Sequence, residues 1–325
     1  ELRRDALIGY RFRLPEFVTG NKLVTADWPR AEAILTDRKY ASLLIQGGTT
    51  FLHASTGVGK TWMLLQLAIS LVTGKEFLGF HPNRPRPKKV ALLQSELTNA
   101  AFAERVKMAE KAFGRESIND LVVCSSEFQL STVDSYRNLT IDVKPLKQMI
   151  NMHGFEVLMI DPLQSYFNLA EGSVDHGREF MKAICSVAKE TSCSIIMSHH
   201  QRKDTTGQSL DQMRGASSFS DLCDTVLGLR KLPYLEQNEK GKMVEQRNEF
   251  NQIIYHKTDL VISFDKLRHN MGPLPDDLKV TRMPDLDVRI NAQGDSEGDP
   301  NSFFRPRGED FSGYEDHQTY GGFIR

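Results

Sequence analysis

From residue 49 onward, short apolar runs alternate with longer stretches of helical spacing. The runs are TTFLHA (49–54), KVALLQ (89–94), LVVC (121–124), EVLMID (156–161), SIIMSHH (194–200) and TVLGL (225–229). Helix-like spacing fills 60–73, 99–113, 143–153, 175–191 and 215–223. Runs that are apolar on both faces and separated by helices predict a mainly parallel sheet covered by helices on each side, an α/β fold. Past Leu229 the pattern changes. Segments 250–256, 260–267 and 278–283 read as strands with short connections, which predicts a C-terminal antiparallel extension of the same sheet. Residues 1–45 lack periodicity and read as a lead-in segment, and 46–283 as the domain proper. From Pro284 the composition turns to Gly, Asp, Ser and Asn, so 284–325 are expected to be a flexible tail or to order only against a partner.

Composition sets limits on this picture. A chain of 325 residues with 40% hydrophobic and 26% charged residues can bury a large core without disulfides or metals. No stretch approaches the roughly 20 apolar residues of a membrane span. The longest candidate, Trp62 to Val72, is short and carries Gln66 and Ser70. No secretory leader is visible in a chain that starts at Glu1 rather than Met. Cys124, Cys185, Cys193 and Cys223 form no CxxC pair and are read as reduced, buried small hydrophobes of a cytoplasmic protein. Net charge is −1, but 284–325 hold nine Asp/Glu and four Lys/Arg, a balance of −5, which leaves +4 on the remainder. A mildly basic body with an acidic tail permits nucleic-acid binding without demanding it.

The sharpest chemistry lies in ASTGVGKT, Ala54 to Thr61, between a predicted strand and an apolar helix. It fits the phosphate-binding loop, with Ala54 in place of the usual first Gly. Gly57 and Gly59 let successive N–H groups point at phosphate oxygens, and the helix that follows offers its positive end to the same anion. Ser55, Thr56, Gly57, Val58, Gly59, Lys60, Thr61 and the adjoining Trp62 form the expected ATP-binding set. Lys60 reaches the β- and γ-phosphates, and Thr61 offers its hydroxyl to Mg²⁺. The plain alternative is a glycine-containing turn, which the full spacing disfavours.

EVLMIDP ends an apolar strand on Asp161, the Walker B form, where a carboxylate can hold Mg²⁺ partly through water. Otherwise Asp161 only caps a turn. Pro162, not Glu, follows it, so the base that activates water must come from elsewhere. Glu96, just past the 89–94 strand, is the best candidate; alternatively it opens the next helix and favours its dipole. SIIMSHH ends in His199 and His200. Paired histidines suggest zinc, but no third ligand accompanies them at plausible spacing. His200 is read as a sensor of the γ-phosphate and His199 as a structural histidine.

The order ASTGVGKT, LLQSE, VLMIDP, IIMSHHQRK and RGASSFSDLCDTVLGL resembles the RecA-like hexameric ATPases, above all the RepA-type plasmid and phage replicative helicases and more distantly the DnaB helicases and KaiC-like ATPases. The resemblance covers roughly 40–283. It implies a RecA-like P-loop core, a homo-oligomeric ring (a hexamer), ATP bound between subunits, single-stranded DNA in the central channel, and Glu96 as the catalytic carboxylate. FDKLRHNMGP (264–273) resembles the segment that reaches into a neighbour's ATP site in DnaB-like rings, which makes Lys266 and Arg268 fingers acting in trans, though the spacing before Gly272 is one residue longer than usual. Arg230 and Lys231 compete for that role, and solvated surface charge is the plain alternative for all four.

QRKDTTGQSLDQMRGAS (201–217) is long and polar and follows the sensor strand. Arg202, Lys203 and Arg214 are the expected DNA contacts, against an ordinary surface loop as the alternative. Loop 163–178, with Tyr166, Phe167, His176 and Arg178, is a second candidate whose aromatics can equally pack on the body. The function expected is an ATP-hydrolysing motor on single-stranded DNA, a RepA-like replicative helicase. The competing readings are a RecA/KaiC-like DNA-binding ATPase without unwinding activity, acting as a recombination mediator or regulatory switch, and a nucleotide-gated interaction protein. The tail is expected to meet a replication or recombination protein, and no membrane partner is expected.

Overall fold

The computed structural model describes residues 17–27, 32–37, 41–83, 88–114, 118–125, 128–136, 138–167, 174–200, 217–238, 241–270, 273–282 and 304–306. The chain forms two compact units, Glu1–Ala31 and Glu32–Arg325. The first contains helix α1, Gly20–Thr25, capped by Thr19, whose hydroxyl accepts from the Lys22 N–H. None of the α1 residues is buried.

The second unit runs β1 (Ala33–Thr36), β2 (Ser42–Ile45), β3 (Thr49–Ala54), α2 (Lys60–Thr73), β4 (His81–Pro82), β5 (Val90–Gln94), α3 (Asn99–Phe113) and β6 (Leu121–Cys124). It continues with β7 (Ser131–Val133), β8 (Leu139–Ile141), α4 (Lys144–His153), β9 (Val157–Asp161), a 3₁₀ turn at Leu163–Tyr166, α5 (Val174–Thr191) and β10 (Ser194–His200). Last come α6 (Ser217–Ser220), β11 (Thr225–Pro233), β12 (Leu235–Gln237), β13 (Met243–Glu245), β14 (Tyr255–Leu267), β15 (Leu278–Arg282) and β16 (Phe304–Pro306). The main sheet has the order β16-β15-β14-β11-β3-β10-β9-β5-β6. It is parallel from β11 to β6, and β14, β15 and β16 extend it antiparallel. This is the expected α/β architecture, a mainly parallel sheet with an antiparallel extension.

Strand alternation divides the core in two. On β9, Val157 and Met159 face one apolar cluster with Leu52, Leu92 and Ile196; Leu158 and Ile160 face the other with Phe51, Leu93 and Met197. Every β9 residue is buried, which is why the run carries no polar break before Asp161. Helix α2 is apolar almost all round and is buried from Met63 to Val72 within the first cluster. Helix α5 places Phe180, Met181, Ile184, Val187 and Ala188 on one stripe in the second. Full burial of a Leu or Ile is worth about 1.5–3 kcal/mol, so this seam fixes the register that carries the site.

Several boundaries differ from the sequence reading. β1 and β2 lie in the second unit, which starts at Glu32 rather than residue 46; they pair with each other, and β4 joins them in a three-stranded sheet. Of the segment expected at 250–256 only Tyr255 and His256 are strand, and they run on through 260–267 as one strand, β14, because the polar residues between are satisfied: Asp259 accepts from the Thr281 hydroxyl at 2.8 Å and lies 3.2 Å from His256. The helix expected at 215–223 is described only as the short α6, since Asp224 leaves helical geometry to bond Thr49 through its main-chain N–H (2.9 Å). Within the expected flexible tail, Phe304–Pro306 pair antiparallel with β15; residues 283–303 and 307–325 lie outside the described residues. The thiols are free. Cys193 and Cys223 are buried, and burial pushes the Cys193 thiol up to about 12. Cys124 and Cys185 are only half-buried. Among the described residues no helix is long and apolar enough to cross a membrane.

Candidate active site

The carboxyl ends of β3, β10, β9 and β5 lie side by side. His200 is in register with Ala54, and Gln94 with Asp161. The turn from β3 into α2 requires glycine: Gly57 has φ of 77° and Gly59, at the helix N-terminus, 119°, values that side chains disfavour. Lys60 is 6% exposed. Its ammonium donates to the carbonyls of Ala54 (3.0 Å) and Ser55 (3.2 Å) and to Nδ1 of His200 (3.0 Å). Burial lowers the Lys60 pKa, and the charges of Asp161 and Glu96 work against that shift.

Since Nδ1 of His200 accepts from Lys60, the ring proton sits on Nε2, which donates to Glu96 Oε1 at 2.7 Å. Glu96 is held by its loop. Gln94 donates from Nε2 to the Leu97 carbonyl (2.9 Å) and accepts from the Leu97 N–H (3.1 Å). Thr98 caps α3, accepting from Ala101 N–H at 3.2 Å. Glu96 therefore stands before the helix rather than opening it. Asp161, 3% exposed, accepts from the Ser198 and Thr61 hydroxyls. Burial raises its pKa, and the two hydroxyls oppose the rise.

His199 points to the opposite face from His200, into an aromatic cluster with Phe51 (5.7 Å between centroids) and Phe219 (5.6 Å). Burial depresses its pKa to about 4, so it stays neutral there. Tyr166 is buried against Phe128, and Phe167 stacks on Phe219, so these aromatics of loop 163–178 pack on the body; His176 is half-buried and Arg178 exposed on α5. Arg202, Lys203 and Arg214 lie outside the described residues.

The sequence reading missed Arg105. From α3 its guanidinium stacks over the Trp62 ring at 5.0 Å, and it feels the charges of Asp161 and Glu96. Burial lowers its pKa. Its only sequence signal is a basic residue on the inward stripe of α3 beside Phe102 and Ala109.

Lys266 and Arg268 sit elsewhere. β14 runs antiparallel to β11, so Leu267 pairs with Thr225 and Thr225 with Thr50, at the amino end of β3. Five residue steps of β3, roughly 16 Å, separate this end from the phosphate loop. Lys266 donates to the carbonyls of Ser220 (3.3 Å) and Asp221 (2.7 Å), and Arg268 meets Asp224 (3.3 Å) and the Asp221 carbonyl (3.1 Å). By contrast Arg230 follows Leu229, the partner of Ala54, at the phosphate-loop end, where it pairs with Asp277 at 2.6 Å; Lys231 is exposed.

A family model described as an AAA domain, AAA_25, matches residues 13–206, more than half of the chain and the whole stretch from the phosphate loop to His200. The chain belongs to this family of RecA-like P-loop ATPases. No curated protein matches the chain. The family carries nucleotide binding and hydrolysis to this ATPase. The match ends before Lys266 and Arg268.

Nucleotides of this class come with Mg²⁺, and the residues fit that ion. The Thr61 hydroxyl touches the Asp161 carboxylate beside the loop, and a buried carboxylate with a raised pKa gains from a cation next to it. Thr61 and Asp161 are the residues that would hold Mg²⁺, directly or through water, and the ion would neutralise phosphate charge.

Proposed function

We propose that this ATPase is a ring-forming motor on single-stranded DNA, a replicative helicase of the RepA type. The observation that carries the proposal is the unbroken chain Lys60–His200–Glu96, at 3.0 and 2.7 Å, spanning three strand ends. An ammonium has three protons, and Lys60 directs them at three protein acceptors. A γ-phosphate must displace one. When Lys60 turns to phosphate, Nδ1 of His200 loses its donor; the ring can then turn its Nε2–H from Glu96 to a γ-phosphate oxygen, and Glu96 becomes free to accept a proton from the attacking water. His200 thereby senses the nucleotide and, as the last residue of β10, passes its state directly to the following loop, where Arg202, Lys203 and Arg214 are the proposed strand contacts. Arg268 and Lys266, too far from their own loop, act on the nucleotide of an adjoining subunit, where positive charge stabilises phosphoryl transfer.

A forked duplex with one labelled strand tests the reading. ATP should release the strand and a non-hydrolysable analogue should not. Turnover stimulated by single strands without strand release favours the DNA-binding switch instead; turnover indifferent to DNA removes both.

A further inference from the structure

Asp224 is 8% exposed, and each of its carboxylate oxygens has a different job. Oδ2 accepts from the Thr49 N–H at 2.9 Å and lies 3.2 Å from the Thr49 hydroxyl. Oδ1 receives the Arg268 guanidinium at 3.3 Å and His269 Nε2 at 3.4 Å. Main-chain bonds repeat the link: Asp224 N–H to Thr49 carbonyl (2.9 Å) and Arg268 N–H to Asp224 carbonyl (2.8 Å). One buried carboxylate thus holds the first residue of β3 tightly and the arginine loosely, while that arginine side chain stays 44% exposed. β3 runs from Thr49 directly into the phosphate loop at Ala54.

We infer that Asp224 is a positioning residue for Arg268, aiming its guanidinium out of the subunit and tying that aim, through Thr49 and β3, to the subunit's own phosphate loop. This rests on the reading of Arg268 as a finger acting on a neighbour. The geometry suits the task. A buried carboxylate anchored by a main-chain N–H fixes direction, while the guanidinium leaves for a phosphate by giving up the long contact on Oδ1 (3.3 Å) and the bond to the Asp221 carbonyl (3.1 Å). A shift of β3 on nucleotide binding moves Thr49, hence Asp224, hence the finger offered next door, so that one site's occupancy sets the next site's rate.

A double-mutant cycle in the full chain tests the inference, with Asp224→Asn, Arg268→Ala and the pair. A finger misplaced by about 1 Å costs on the order of 10²-fold in rate, so D224N should lower kcat by that order. The KM for ATP should stay within about threefold, since uniform binding is untouched. The pair should be no slower than R268A alone. Mixed with Glu96→Gln subunits, whose own fingers are intact, both D224N and R268A subunits should regain turnover. Losses that multiply in the pair, or D224N left unrescued where R268A is rescued, overturn the inference and leave the finger standing. Full turnover by R268A alone removes the finger and the inference with it. If D224N melts below the assay temperature, Asp224→Glu takes its place in the same cycle, with the same lack of additivity expected.

Discussion

His200 stands 2.7 Å from Glu96 through Nε2, with its other nitrogen on Lys60. The ring therefore bridges the group that binds phosphate and the group proposed to activate water. Replacing Glu96 with Gln keeps the shape and an acceptor but removes the base. Nucleotide affinity should stay within about threefold, while turnover should fall about 10²–10⁴-fold. Equilibrium binding of a fluorescent nucleotide and single-turnover phosphate release measure the two effects separately. Normal phosphate release by E96Q would move the base elsewhere.

Lys60→Ala removes the only side-chain cation bonded to the Ala54 and Ser55 carbonyls among the described contacts. Titration calorimetry with Mg·ATP should show no tight binding, and turnover should vanish. Hydrolysis at the native rate would take the phosphate loop out of the account.

His199 yields a pH signature with a definite sign. Burial depresses its pKa from 6.5 to about 4. As pH falls from about 6.5 to 4, the unfolded chain takes up a proton that the folded protein refuses, so stability is lost across that window, by about 3 kcal/mol. His199→Phe removes a buried ring nitrogen, Nδ1, that has no hydrogen-bond partner among the described residues, and keeps an aromatic between Phe51 and Phe219. The stability difference between variant and native protein, followed by urea unfolding at stepped pH, should grow in favour of the variant toward pH 4. A difference independent of pH would contradict the burial of a neutral ring.

Gly228 lies beside His53 in register, where there is no room for a side chain. A Cβ there would come 2.4 Å from the Ser263 hydroxyl oxygen and 3.0 Å from His53 Cε1. Gly228→Ala should destabilise by about 1–3 kcal/mol, and adding Ser263→Ala should recover part of it. The change also presses on the 2.6 Å contact between His53 and Asp265, on the strand that leads into the phosphate loop. An unchanged urea midpoint for G228A would refute the close packing.

Much of this fold was legible because the parallel strands are buried on both faces and so stand out as apolar runs. The elements 60–73 and 99–113 and the strands ending on Asp161 and His200 follow from that pattern alone. The candidate site residues stood out in the sequence by position: Asp161 and His200 end strands, Glu96 lies two residues past one, and Lys60 opens the helix after the glycine loop. Arg105 was not, because a helix places it by rotation about its axis and nothing in spacing says which cationic side chain turns inward. Asp224 was hidden for a related reason: its partners, Thr49 and Arg268, are far away in sequence, and only the β3–β11–β14 register brings them together. β1 and β2 were missed because they are four residues each and belong to a small side sheet whose third strand is only His81–Pro82.

The central claim is that one subunit's phosphate loop is completed by its neighbour. It is tested most directly by measuring ATP turnover per chain and particle mass on the same samples, across a dilution series, with and without single-stranded DNA. The account predicts that turnover per chain falls as the assembly dissociates and that single strands raise it while the ring holds. A solitary chain that hydrolyses ATP at the undiminished rate would contradict it.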